Sequence, residues 1–179
     1  MRKYLLHVLI ISFVFLLAPT AQVASYAGAI EDAKEEVRNN PDDALAHFFL
    51  GVAYAELGMQ KEAIGSLKQA IRIDPDDAKA HYNLGNAYVK SGNTEWYFEH
   101  EKAIKSYKRA IRIRPDDAEA HYNLGVTYNK LKMYKKSIES FKQVIRIDPY
   151  SAGAHDGLGR AYSELGKKEE AIESYKKGR

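Results

Sequence analysis

Four histidines are the first residues of this sequence that could hold a metal ion or move a proton. His47, His81, His121 and His155 stand 34, 40 and 34 residues apart. Each falls in a different copy of one repeated phrase, and stacked repeats displace equivalent positions by about 10 Å. A zinc ion needs its nitrogens at about 2 Å. The spacing therefore assigns these rings a structural place between stacked helices. "FEHEK", Phe98 to Lys102, holds one His with no partner four residues away, so it is not a zinc-protease motif. The acid pairs Asp76-Asp77 and Asp116-Asp117 could serve as general acid and base. They recur with the repeat, however, and sit where helices should start, so capping explains them. Ser66, Ser106, Ser140 and Ser174 recur without a base beside them. Gly51, Gly85, Gly125 and Gly159 are isolated rather than clustered in a phosphate loop. The absence of Cys removes thiol nucleophiles and thiolate metal sites. No catalytic residue, metal or cofactor is expected, and the chain reads as a non-enzyme.

What positions these residues is a repeat. "RIDPDDAKAHYNLG" (Arg72 to Gly85) returns as "RIRPDDAEAHYNLG" (Arg112 to Gly125) and, more loosely, as "RIDPYSAGAHDGLG" (Arg146 to Gly159). A Tyr follows each Gly by three residues: Tyr54, Tyr88, Tyr128 and Tyr162. Each unit predicts two helices. In the first unit Leu50, Tyr54 and Leu57 recur at helical spacing from Ala44 to Leu57, and Gly58 ends the helix or allows the turn. A second helix begins near Lys61, with Ala63, Ile64, Leu67, Ala70 and Ile71 as its buried stripe. Pro75 stops it, and Asp76 or Asp77 caps the next helix. Neither helix can bury its apolar face alone, so neighbouring units must stack.

These units resemble tetratricopeptide repeats. The family series Leu-Gly, Tyr, Gly, Ala, aromatic, Ala, Pro is matched by Leu50, Gly51, Tyr54, Gly58, Ala63, Leu67, Ala70 and Pro75. Leu84, Gly85, Tyr88, Gly92, Ala103, Tyr107, Ala110 and Pro115 match it again. The third unit keeps Leu124, Gly125, Tyr128, Phe141 and Pro149 but carries Lys132, Ser137 and Val144 at the turn-Gly and two Ala positions. The fourth keeps Leu158, Gly159, Tyr162, Gly166, Ala171 and Tyr175. His replaces the family's Trp near each unit's start. The resemblance implies an all-α fold, a right-handed superhelical solenoid of antiparallel helix pairs. Its units are 44–77, 78–117, 118–151 and 152–179, preceded by a linker or partial helix over 30–43.

The resemblance also implies a role in binding a protein or peptide, with the first helices lining a concave groove. The expected lining is Phe48 and Phe49, then Lys79, Tyr82, Asn83, Asn86 and Lys90, then Tyr122, Asn123 and Lys130. Amides such as Asn83 and Asn123 can pair with any peptide bond, or they can tie neighbouring helices together. Some relatives clamp a peptide's terminal carboxylate with Lys and Asn on successive units. Asn86 and Asn123 match those Asn positions. Tyr82, Gly153 and Gly157 stand where the cations should be, so a full clamp is not expected.

Three segments fall outside the repeat. "MRKY" followed by the apolar run Leu5 to Ala18 and then small residues has the order of an export signal over 1–29. Counted from Tyr4 to Ala24, the run is also long enough for an uncleaved membrane anchor. The protein is then periplasmic or secreted if the signal is cleaved, and membrane-attached if it stays. The net charge of +3 falls to +1 without Arg2 and Lys3, which gives no electrostatic case for nucleic acid. Six extra residues, Asn93 to Phe98, hold the only Trp. They either extend a helix, with Trp96 or Tyr97 packed on the next repeat, or expose Trp96, Tyr97 and Phe98 as a partner anchor. Finally, the last helix, Lys168 to Lys177, is followed by no further helix, and its stripe of Ala171, Ile172 and Tyr175 is a candidate for self-association. A self-assembling structural subunit is the alternative to a scaffold. An adaptor that uses the basic convex helix around Lys105 and Arg112 against a membrane is another.

Overall fold

The computed structural model describes residues 28–91 and 96–178. All the regular structure among them is helical. Helix α1 covers 28–39. It is followed by α2 (Ala44–Glu56), α3 (Gln60–Ile73), α4 (Ala78–Lys90), α5 (Trp96–Ile113), α6 (Ala118–Lys130), α7 (Tyr134–Ile147), α8 (Ala152–Glu164) and α9 (Lys168–Lys177). α2 pairs with α3, α4 with α5, α6 with α7 and α8 with α9, and each pair packs on the next. This is a right-handed superhelical solenoid of antiparallel helix pairs.

Local chemistry sets the boundaries. Asp43, Asp77 and Asp117 cap α2, α4 and α6 through their carboxylates. Asp76 and Asp116 instead accept from Arg109 at 2.7 Å and Arg146 at 2.6 Å, pinning each turn to a later second helix. Gly58 and Gly166 turn the chain at φ of 74° and 73°. Lys132 adopts the same left-handed conformation at φ 57° without glycine's freedom. Ser137, where the first two units have Ala, donates to the Gly125 carbonyl at 2.9 Å and so links α7 to α6. Within a pair, the repeat glycine meets a bulky residue: a Cβ on Gly85 would lie 2.5 Å from the Tyr107 ring.

The repeated histidines make one hydrogen bond that recurs in every unit. Nε2 of His47, His81, His121 and His155 lies 3.0 Å from the carbonyl oxygen of Pro41, Pro75, Pro115 and Pro149, respectively. A carbonyl only accepts, so Nε2 carries the proton. Each ring ties its helix to its own preceding turn, and His121 and His155 are buried.

One buried cluster runs through α3 to α6, with Leu67, Tyr107, Leu84 and Leu124 at its centre. A second, around Phe141 and Leu158, joins α7 to α8. A third packs Ile30 of α1 on Leu50 and Ala53 of α2. Thus the segment read as a linker or partial helix contributes a helix with its own buried contact. Burying each large side chain is worth about 1.5–3 kcal/mol. First helices approach one another along the array (α2 with α4, α4 with α6, α6 with α8), whereas no two of α3, α5, α7 and α9 come as close. The first helices therefore form the inner, concave side.

Candidate functional site

The concave side carries most of the residues expected there, but they do not play one role. At its amino-terminal end, Phe48 is packed against the main core while Phe49 stands 56% exposed; the rings meet edge to face at 5.5 Å. On α4, the Asn83 amide donates to the Lys79 carbonyl of its own helix at 2.9 Å. It makes no bond to another unit. Lys79 and Lys90 are exposed.

Asn86 and Asn123 are engaged between units. The Asn123 amide donates to Asn86 Oδ1 at 3.0 Å and to the Tyr82 hydroxyl at 3.1 Å. Tyr107 donates its hydroxyl to the same Asn86 oxygen at 2.7 Å. This network fastens α4, α5 and α6 to one another. Burial is the leading cause that pushes the Tyr82 and Tyr107 hydroxyls above the usual tyrosine pKa, and Glu119 adds to the effect at Tyr82. Of the groove residues expected from sequence, Asn86 and Asn123 thus hold the scaffold, and Asn83 is half-buried with its hydrogen bond inside its own helix.

Sequence reasoning missed a pocket on this face. Between α6 and α8 lies a pocket of about 470 Å³, lined by Tyr122, Lys130, Tyr134, Gly157, Arg160 and Glu164, among others. It opens where Gly153 and Gly157 replace larger residues of the other units. The Tyr122 ring rests 3.1 Å from where a Gly153 Cβ would stand. The Tyr134 hydroxyl donates to Glu164 at 3.0 Å, which holds its pKa up. The two glycines were readable as lost cations; the room they leave was not.

Elsewhere, Tyr97 and Phe98 begin α5 at 52% and 60% exposure, with their rings edge to face at 6.2 Å. Tyr97 therefore does not pack away on the next repeat. The Trp96 side chain, residues 92–95 and residues 1–27 of the export or anchor segment lie outside the described residues. The basic outer helix is partly offset: Lys102 pairs with Glu99, Arg109 with Asp76 and Arg114 with Asp117. Among the described residues no helix is long and apolar enough to cross a membrane, and no cluster of potential metal ligands occurs.

Models of the TPR repeat match residues 53–92 and 99–132, and models of the tetratricopeptide repeat match 118–151 and 152–178. None of the curated proteins matches the sequence. Among solved structures, a crystal structure of MamA is 30% identical, with a TM-score of 0.81, covering 89% of this chain and 90% of its own. MamA from Desulfovibrio magneticus RS-1 is 23% identical, with a TM-score of 0.78, covering 90% and 88%. YrrB, described as a TPR protein with an unusual peptide-binding site, is 23% identical, with a TM-score of 0.74, covering 88% and 78%. Repeat sequence, helix-pair geometry and these likenesses agree: the chain belongs to the tetratricopeptide repeat family and is a non-catalytic, protein-binding array.

Proposed function

We propose that the concave face binds an extended segment or a helix of a partner protein, running from Phe49 past Asn83 to the pocket between α6 and α8. The observation that carries this reading is the division of labour among the amides. The array uses Asn86 and Asn123 for itself, yet leaves Asn83 half-buried and bonded only within its own helix, Lys79 and Lys90 exposed on the same helix, and Lys130 exposed at the pocket. Backbone-pairing amides next to aromatic area suit a peptide whose sequence varies. YrrB, with the same fold and a described peptide-binding site, is a precedent for the use.

We further propose that residues 1–29 direct export, so that the module works in envelope or secretory assemblies. The order of basic start, apolar run and small residues supports this. A second reading, self-association through α9, is favoured by Ile172, which stands 56% exposed between Lys168 and Lys176 one turn away on either side.

A photo-crosslinking residue at Asn83 or Lys130, compared with one at Lys108 on the outer face, tests the groove in native cells. The concave positions should capture a partner and Lys108 should not. Equal capture from both faces overturns the reading. The same probe at Ile172 reports self-association by capturing a second copy. The mass of each product shows whether 1–29 has been removed.

A further inference from the structure

Helix α1 has the position of a second helix, but no first helix precedes it among the described residues. In the first three repeats the matching stripe of the second helix is buried, and its bulky residue meets the glycine of its own first helix. Ala63, Leu67 and Ala70 are buried, as are Ala103, Tyr107 and Ala110, and Ser137, Phe141 and Val144. Counting back 34 residues from the first of these sets gives Ala29, Ala33 and Glu36 on α1, none of them buried. With Phe49, Val52 and Glu56 of α2 they border a trough of about 450 Å³.

Two departures from the repeat define what fits there. Where the other second helices present Leu, Tyr or Phe to a facing glycine, α1 presents Ala33. The entering helix can therefore carry a bulky apolar residue at the level where this chain's own first helices need glycine. Where the others present a buried Ala or Val, α1 presents Glu36, and where they present Ser it presents Asp32. With Glu56, three carboxylates rim an otherwise apolar floor, and no Lys or Arg lines it. Residues 4–27, the chain immediately upstream, contain no Lys or Arg and are interrupted by Pro19. They do not answer that charge.

We infer that the α1–α2 trough docks an amphipathic helix of a partner protein, with a bulky apolar stripe flanked by Lys or Arg. The helix takes the place that a first helix holds in the other units and extends the array by one layer. The site lies at the amino-terminal end of the molecule and goes beyond the peptide groove.

The test uses two labelled helical peptides with the same Leu stripe, one flanked by Lys and one by Glu, titrated onto the full chain by fluorescence anisotropy. The Lys peptide should bind roughly tenfold or more tightly than the Glu peptide, and salt should narrow the difference. Asp32→Lys with Glu56→Lys should reverse the preference without changing the thermal melt, since both residues are exposed. Ala33→Leu restores the bulk seen at Leu67 and should weaken both peptides. Asn83→Ala, a groove change, should leave both affinities unchanged, which separates this proposal from the groove reading. Equal affinity for the two peptides overturns it, as does a Lys preference that survives the charge reversal. No binding by the full chain also overturns it, because the trough is then filled from within. So does self-association that the reversal abolishes, because a second copy is then the occupant.

Discussion

At the scale of single residues, the network around Asn86 carries a pH signature. The Tyr107 hydroxyl is buried and donates to Asn86, and burial holds its proton on well above the ordinary tyrosine value of about 10. Below that value both folded and unfolded chains keep the proton, and stability does not depend on it. Above it the unfolded chain gives the proton up while the folded chain retains it. The unfolded state then binds fewer protons, and stability falls as pH rises, by up to about 1.4 kcal/mol per pH unit for one proton. Urea melts through the alkaline range should show this loss, and Tyr107→Phe should flatten it. The substitution itself should cost about 1 kcal/mol at neutral pH, because Asn86 loses one of its two donors. An alkaline slope unchanged by Tyr107→Phe would place the titration elsewhere.

At the scale of elements, the helices were legible where periodicity and caps agreed. Leu50, Tyr54 and Leu57 with Gly58 predict an end at Leu57, and α2 closes with Leu57 as its C-cap. Asp77, rather than Asp76, proved to be the cap because Asp76 is drawn to Arg109, a long-range contact that local spacing does not reveal. α1 was hardest to read: Ala33 and Glu36 erase the bulky-then-small signature that marks the other second helices. The insertion was readable as a longer helix, and α5 has 18 residues against 14 in α3 and α7. The turn between α6 and α7 contains a testable misfit. Lys132 holds a left-handed conformation that Gly58 and Gly166 adopt in the equivalent turns. Such a conformation costs a non-glycine residue about 1–2 kcal/mol, partly offset by glycine's greater entropy when unfolded. Lys132→Gly should therefore stabilise the protein by about 0.5–1 kcal/mol in urea denaturation, while Gly58→Ala should destabilise it. A neutral or destabilising Lys132→Gly would mean that the lysine makes up the cost through its side chain.

At the scale of the whole molecule, the groove is a product of stacking, and two residues at equivalent positions in successive units separate scaffold from contact. Asn123 donates to Tyr82 and Asn86 across the α4–α6 junction. Asn123→Ala removes both bonds, leaving Asn86 with the Tyr107 hydroxyl alone, which should cost about 1–2 kcal/mol. Asn83 bonds only to the Lys79 carbonyl of its own helix. Asn83→Ala should leave stability within about 0.5 kcal/mol, since it substitutes a better helix former at a half-buried site whose hydrogen bond stays within its own helix. Sequence alone places both residues in the groove as a matched pair, because their neighbours in the unit are the same. The difference arises from what the preceding unit offers: Tyr82 and Asn86 reach Asn123, whereas Asn83 meets no partner in another unit. Partner affinity should follow the opposite order from stability. Asn83→Ala should weaken binding several-fold with the melt unchanged, because an outward amide is lost from the contact surface. Asn123→Ala should weaken binding only in step with its lower melting temperature. Calorimetric titration of each single variant with the crosslinked partner, beside a thermal melt, reads both quantities. An affinity untouched by Asn83→Ala in an intact fold would remove that amide from the contact and shift attention to the exposed pair Tyr97 and Phe98 at the start of α5.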